Sequence, residues 1–138
     1  MRRLLSLPII LLAACAVRPD TPDERTRYFL TEVRPVLQQH CLACHNGMMP
    51  PPALNLTNAE TAFRTRPGGA WIVPGDPASS LLIKAVERGG THMKMMPRTE
   101  VSLTDDQIGM LREWIEDGAY WPEGKDGVLR VRKSRENS

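Results

Sequence analysis

Apolar residues recur at three- and four-residue spacing along most of this chain, and that spacing predicts helices. Between Thr26 and His40 the positions Tyr28, Phe29, Val33, Val36 and Leu37 form one face, which predicts an amphipathic helix running up to Cys41. Pro35 interrupts it. Lacking an N–H, it predicts a kink, or a restart with Pro35 in the first turn of a second piece. Thr57-x-x-Glu60 has the form of a capping box ahead of Ala62 and Phe63 and predicts a second, short helix. Asp76-Pro77 reads as an N-cap and first helical position, followed by Leu81, Leu82, Ala85 and Val86 and a stop at Gly89-Gly90. Thr104-x-x-Gln107 is another capping box, and Ile108, Leu111, Trp114 and Ile115 continue the pattern until Gly118. No stretch alternates over a strand's length and no internal repeat is present, so the expected class is all-α, with about four helices.

The two ends differ from this pattern. Arg2 and Arg3 precede the run LLSLPIILLAA, which is short for a membrane-spanning helix and has the length of an export signal's hydrophobic region. Leu12-Ala13-Ala14-Cys15 resembles the bacterial lipobox, in which the cysteine is acylated and becomes the new N-terminus. The competing reading is an ordinary signal peptide with Cys15 incidental. The expected organisation is a lipoprotein signal peptide over 1–14, a polar tether over 15–25, a folded domain over 26–122, and a basic, mobile tail over 123–138. Acyl chains on Cys15 would hold the exported chain at the periplasmic face of a membrane.

Composition adds two constraints. The 138 residues accommodate one ordinary domain, and 41% apolar with 25% charged residues is globular usage. A formal charge of +2 gives no reason to expect a nucleic-acid partner. Aromatic residues are scarce at 5%, so the centre of the domain needs another bulky filler, and a bound organic cofactor is one.

The chemistry concentrates in Cys41-Leu42-Ala43-Cys44-His45. This is the C-x-x-C-H pattern of covalent haem attachment. Two thiols three positions apart can each add to one vinyl group on a haem edge, and the next residue, His45, then lies under the iron as an axial ligand. Three other readings compete. A thioredoxin-like dithiol needs a strand-helix-strand unit, which is not visible. A zinc site needs further ligands, and only His40 and His92 are at hand. A plain disulfide would leave His45 without a role.

The second axial ligand is sought downstream, where Met93, Met95, Met96 and His92 are crowded into THMKMMPRTE. Met48 and Met49 lie too close behind His45 for the chain to pass around the haem edge. Met96 ranks first because Pro97 holds the backbone extended after it; Met95, Met93 and His92 stay open. Leu37, Leu82, Val86, Leu111 and Trp114 are expected as an apolar wall, and Arg98 and Trp71 as candidate partners of the haem carboxylates.

The blocks VRPVLQQHCLACHNG, IVPGDPASSLLIKAV, MMP and LTDDQIGMLREWIEDGAYWP, in this order, resemble the planctomycete-type cytochrome c domain among class I c-type cytochromes. The resemblance implies an all-α fold around one covalent haem c, with Cys41 and Cys44 as thioether attachment points, His45 proximal and Met96 distal. A haem with two protein ligands has no open position, so the expected role is single-electron transfer and not catalysis. The expected partners are redox proteins, either a periplasmic dehydrogenase or a respiratory-chain component. The alternative is a sensing or ligand-binding haem protein with a displaceable distal ligand. A small peroxidase is a third reading, for which the sequence offers no second haem motif and no acid-base set.

Overall fold

The computed structural model describes residues 21–48, 54–87 and 102–131. Among these the regular structure is helical, and the single β-type pairing is the isolated antiparallel bridge Asn46–Asn55. The all-α expectation therefore holds for the described residues.

Helix α1, Pro22–Tyr28, is closed at its start by a full capping box, in which the Thr21 hydroxyl accepts from the Glu24 N–H and the Glu24 carboxylate accepts from the Thr21 N–H. It starts inside the stretch expected to be tether, because Thr21-Pro22 supplies a cap and a first-turn proline together. The next five residues, Phe29–Val33, form a wider π-helical turn, and α2, Arg34–His40, restarts with Pro35 in its first turn. The widened turn sits just before the residue that cannot donate a hydrogen bond, as the Pro35 expectation required. Phe29, Val33, Val36 and Leu37 are all buried on one face of this continuous rod.

Two start signals act differently from the prediction. The short helix α3, Ala59–Ala62, is capped by Asn58, whose side chain accepts from the Thr61 N–H. Thr57 instead donates its N–H and hydroxyl to Asn55 Oδ1. Asp76 caps a turn that precedes the helix, accepting from the Ser79 N–H, and α4, Leu81–Val86, starts after Ser80. Ser80 is fully buried; its hydroxyl donates to the Asp76 carbonyl and accepts from the Val73 N–H. Helix α5, Asp105–Glu116, keeps the predicted capping box of Thr104 and Gln107 and ends at Gly118, in the left-handed region at φ +99°.

Helix α5 packs on α4 and on the π-helical turn. The few aromatic side chains are gathered at this junction. Phe29 lies 4.9 Å from Trp121 and 6.2 Å from Trp114 between ring centres, and Phe63 stands edge-on to Trp121 at 6.0 Å. Leu37, Leu82, Val86, Leu111 and Trp114 are all buried in the hydrophobic core.

The stretch from Glu123 to Val131 corrects the expected mobile tail. A 3₁₀ turn, Gly124–Gly127, brings the Gly127 carbonyl to the buried Trp121 indole N–H at 2.7 Å. Leu129 is buried, and its N–H donates to the Thr57 carbonyl at 2.8 Å. Gln38 of α2 donates to the Arg130 carbonyl at 2.8 Å. One leucine among charged neighbours made no period, yet it is enough to pin the strand-like segment onto the core. The described fold thus runs past both bounds of the 26–122 domain. Residues 1–20, with Cys15 and the proposed signal, lie outside the described residues. Among the described residues, no helix is long and apolar enough to cross a membrane.

Candidate functional site

The end of α2 builds the site. The Cys41 and Leu42 N–H groups both donate to the Leu37 carbonyl, at 3.1 and 2.9 Å, and the chain then forms one more tight turn. In that turn the Cys44 and His45 N–H groups converge on the Cys41 carbonyl, at 3.2 and 2.9 Å. Residues three and four apart in such a turn share a face, so Cys41, Cys44 and His45 are brought together by backbone geometry alone. Immediately afterwards the chain reverses. Asn46 donates to the Ala43 carbonyl and accepts from the Met48 N–H, Gly47 takes φ +80°, and the Leu56 N–H donates back to the His45 carbonyl at 2.8 Å.

The three side chains have distinct environments. Cys41 is buried, and burial pushes its thiol pKa up to about 12, so it stays protonated. Cys44 is exposed, and both cysteines are free thiols. His45 is half-buried. Burial lowers its pKa, partly opposed by a hydrogen bond to the Leu54 backbone, so the ring is neutral at pH 7. A neutral imidazole with one nitrogen hydrogen-bonded to backbone carries its lone pair on the other, which is the form that ligates a metal.

The His45 ring lies 6.5 Å from the Trp71 ring, and the Arg66 guanidinium sits over the same indole at 5.5 Å. Beside them opens a cleft of about 420 Å³ lined by Gly47, Asn55, Thr61, Arg64, Arg66, Pro67 and Trp71. Sequence reading placed Trp71 near the cofactor but missed Asn55, Arg64 and Arg66. Their only signal was two arginines in the short polar segment RTRPGG, which reads as an ordinary loop. Met96, Met95, Met93, His92 and Arg98 lie outside the described residues, as do Met49 and Cys15.

The donor set fits a covalently attached haem. Two unpaired thiols at the required spacing precede a neutral imidazole on the same turn. Among the described residues, no group of three or more histidine, cysteine or acidic side chains is placed to hold a metal ion by itself.

These observations define, among the described residues, an all-α domain with the C-x-x-C-H motif on the turn that follows α2. The comparison with family models agrees: residues 41–100 match the family described as Planctomycete cytochrome C. Over that segment, from the C-x-x-C-H motif through α3 and α4, the chain is similar to this family, as the resemblance read from the sequence expected. The match begins within the first of the four resembling blocks and ends before the last of them. No curated protein matches the chain. Among solved structures the chain is similar to the Kuenenia stuttgartiensis Hydrazine Synthase, at 23% identity and a TM-score of 0.47, over 74% of this chain. It spans 18% of that chain's length.

Proposed function

We propose that this protein is a membrane-anchored, mono-haem c-type cytochrome that carries single electrons between exported redox partners. Cys41 and Cys44 would hold the haem through thioethers, His45 would be the proximal ligand, and Met96 the distal one. The observation that carries the reading is the single helical turn that presents two free thiols and a neutral, backbone-oriented imidazole together. When bound, the haem supplies an iron that cycles between ferric and ferrous.

The chain's own contribution is to orient and to exclude water. A hydrogen bond to the Leu54 backbone would orient the His45 ring and leave its other nitrogen for the iron. Leu37, Leu82, Val86 and Leu111 are buried apolar residues that would keep water from a haem held on the Cys41–His45 turn and so would favour its less charged ferrous state. If His45 and Met96 both hold the iron, no coordination position would be left for a substrate, and the role would be a carrier's. Localisation follows from Cys15: an acylated cysteine and a short tether would keep the domain at the periplasmic side, within reach of a dehydrogenase or a respiratory-chain component.

The test is the ferric spectrum of the parent and of Met96→Ala. The parent is expected to show the long-wavelength charge-transfer band of methionine-ligated haem, and the variant to lose it and to bind carbon monoxide when reduced. Survival of the band would move the distal ligand to Met95 or Met93. Ready binding of carbon monoxide by the parent would favour a ligand-binding role.

A further inference from the structure

The last described residues are held beside the Cys41–His45 turn from two sides. The Leu129 N–H donates to the Thr57 carbonyl at 2.8 Å, and the residue before Thr57, Leu56, donates to the His45 carbonyl at 2.8 Å. Gln38, in the last turn of α2, donates to the Arg130 carbonyl at 2.8 Å. Leu129 is buried and Arg130 is exposed, so the fold fixes this backbone and turns the charge to solvent. From Val128 to Arg135 the sequence carries Arg130, Arg132, Lys133 and Arg135 and no acid. The last three lie outside the described residues. Exposed apolar side chains gather here as well. Among the described residues the large ones are Met48, Val128 and Val131, at 85%, 43% and 48% exposure. Met48 follows the Cys41–His45 turn, and the two valines flank the pinned pair Leu129-Arg130. Apolar side chains left in water beside a run of one charge mark a surface that another molecule covers.

We propose that the segment Val128–Arg135, rooted beside the Cys41–His45 turn, docks an acidic redox protein. The inference rests on the haem reading above and names the chemistry of its partner. The segment lies beyond residues 41–100, where the family match falls. An anionic membrane also binds basic segments, but the position of this one argues against it. α1, the π-helical turn and α2 run as one rod, and Gln38 lies roughly 24 Å along it from Pro22, the end to which Cys15 leads, at about 1.5 Å per residue. A membrane on this surface would also cover the turn that has to exchange electrons. Opposite charge speeds and orients the approach of an acidic protein, and a patch this small lets it leave again, as a carrier requires.

The test is stopped-flow oxidation of the reduced, haem-loaded full chain in neutral detergent, comparing the parent with Arg132→Glu/Lys133→Glu/Arg135→Glu and with Arg132→Lys/Arg135→Lys. The oxidants are ferricyanide, an anion, and tris(phenanthroline)cobalt(III), a cation. At about 10 mM salt the triple variant should react about threefold or more slowly with ferricyanide and faster with the cobalt complex, and both differences should fade by about 300 mM. A change in haem potential would instead move both reagents in the same direction, and that outcome would overturn the inference. The lysine variant should match the parent. Polyglutamate, as an acidic chain, should slow the parent's reaction with ferricyanide at low salt and leave the triple variant's unchanged. Superimposable rates for parent and triple variant, or a parent indifferent to polyglutamate, would overturn the inference. So would parent-like rates in a triple variant that binds phosphatidylglycerol vesicles more weakly, because the segment would then belong to the membrane. A parent with no covalent haem would instead overturn the functional reading itself, so the two failures are distinguishable.

Discussion

At the scale of single residues the site depends on unequal treatment of chemically similar groups. Cys41 and Cys44 are three positions apart, yet one thiol is buried and the other exposed. This gives a pH prediction for the chain before haem attachment. In the folded state Cys41 has its pKa raised from 9.0 to about 12, so its contribution to stability is fully present below pH 9 and is lost as pH rises from about 9 to 12. Thermal melts of the haem-free chain should therefore drop across that window. The haem-attached protein, whose Cys41 sulfur no longer titrates, should lack that drop, and equal drops in both forms would contradict the assignment. His45 works in the opposite sense. Its lowered pKa stabilises the haem-free fold above the ordinary imidazole range and fails on acidification. The pentapeptide made these residues legible from sequence. Leu54 was not legible as a partner of His45, because its contribution is a backbone contact that any residue type could make.

Among the elements, local signals were readable where they were also the winning interaction. Thr104 and Gln107 form the box that the pattern predicts, each side chain accepting from the other residue's N–H. Thr57 had the same pattern, but Asn55 satisfies its hydroxyl and Asn58 takes over the cap. Asp76-Pro77 opens a turn because the buried Ser80 ties the Val73 N–H to the Asp76 carbonyl before the helix can start. The segment after Trp121 shows the limit of periodicity. Its anchoring depends on one leucine, one glycine carbonyl and pairings to Thr57 and Gln38 that are distant in sequence. Gly127 faces the Pro122 carbonyl so closely that no side chain fits there. Leu129→Ala should accordingly cost about 2–5 kcal/mol, measured by denaturant unfolding. A loss near zero would return this segment to the status of a solvated tail.

For the molecule as a whole, the aromatic shortage is met in an unexpected way. Phe29, Phe63, Trp114 and Trp121 are collected into one cluster at the α5 junction, while Trp71 is set apart beside His45. The cluster lies apart from the Cys41–His45 turn and the cleft beside Trp71. The proposed anchor at Cys15 gives a prediction at this scale. Cys15→Ser is expected to shift the protein from the membrane fraction to the soluble periplasmic fraction with its spectrum intact, and unchanged membrane partition would refute lipidation.

The central claim is a covalent bond between one haem and the turn Cys41–His45, and intact mass under denaturing conditions reads it directly. Protein made in a host with haem-attachment machinery should carry the added mass of one haem, lost in the Cys41→Ala/Cys44→Ala double variant. A parent at its haem-free mass, or one whose pigment is released by acid and organic solvent, would contradict the account.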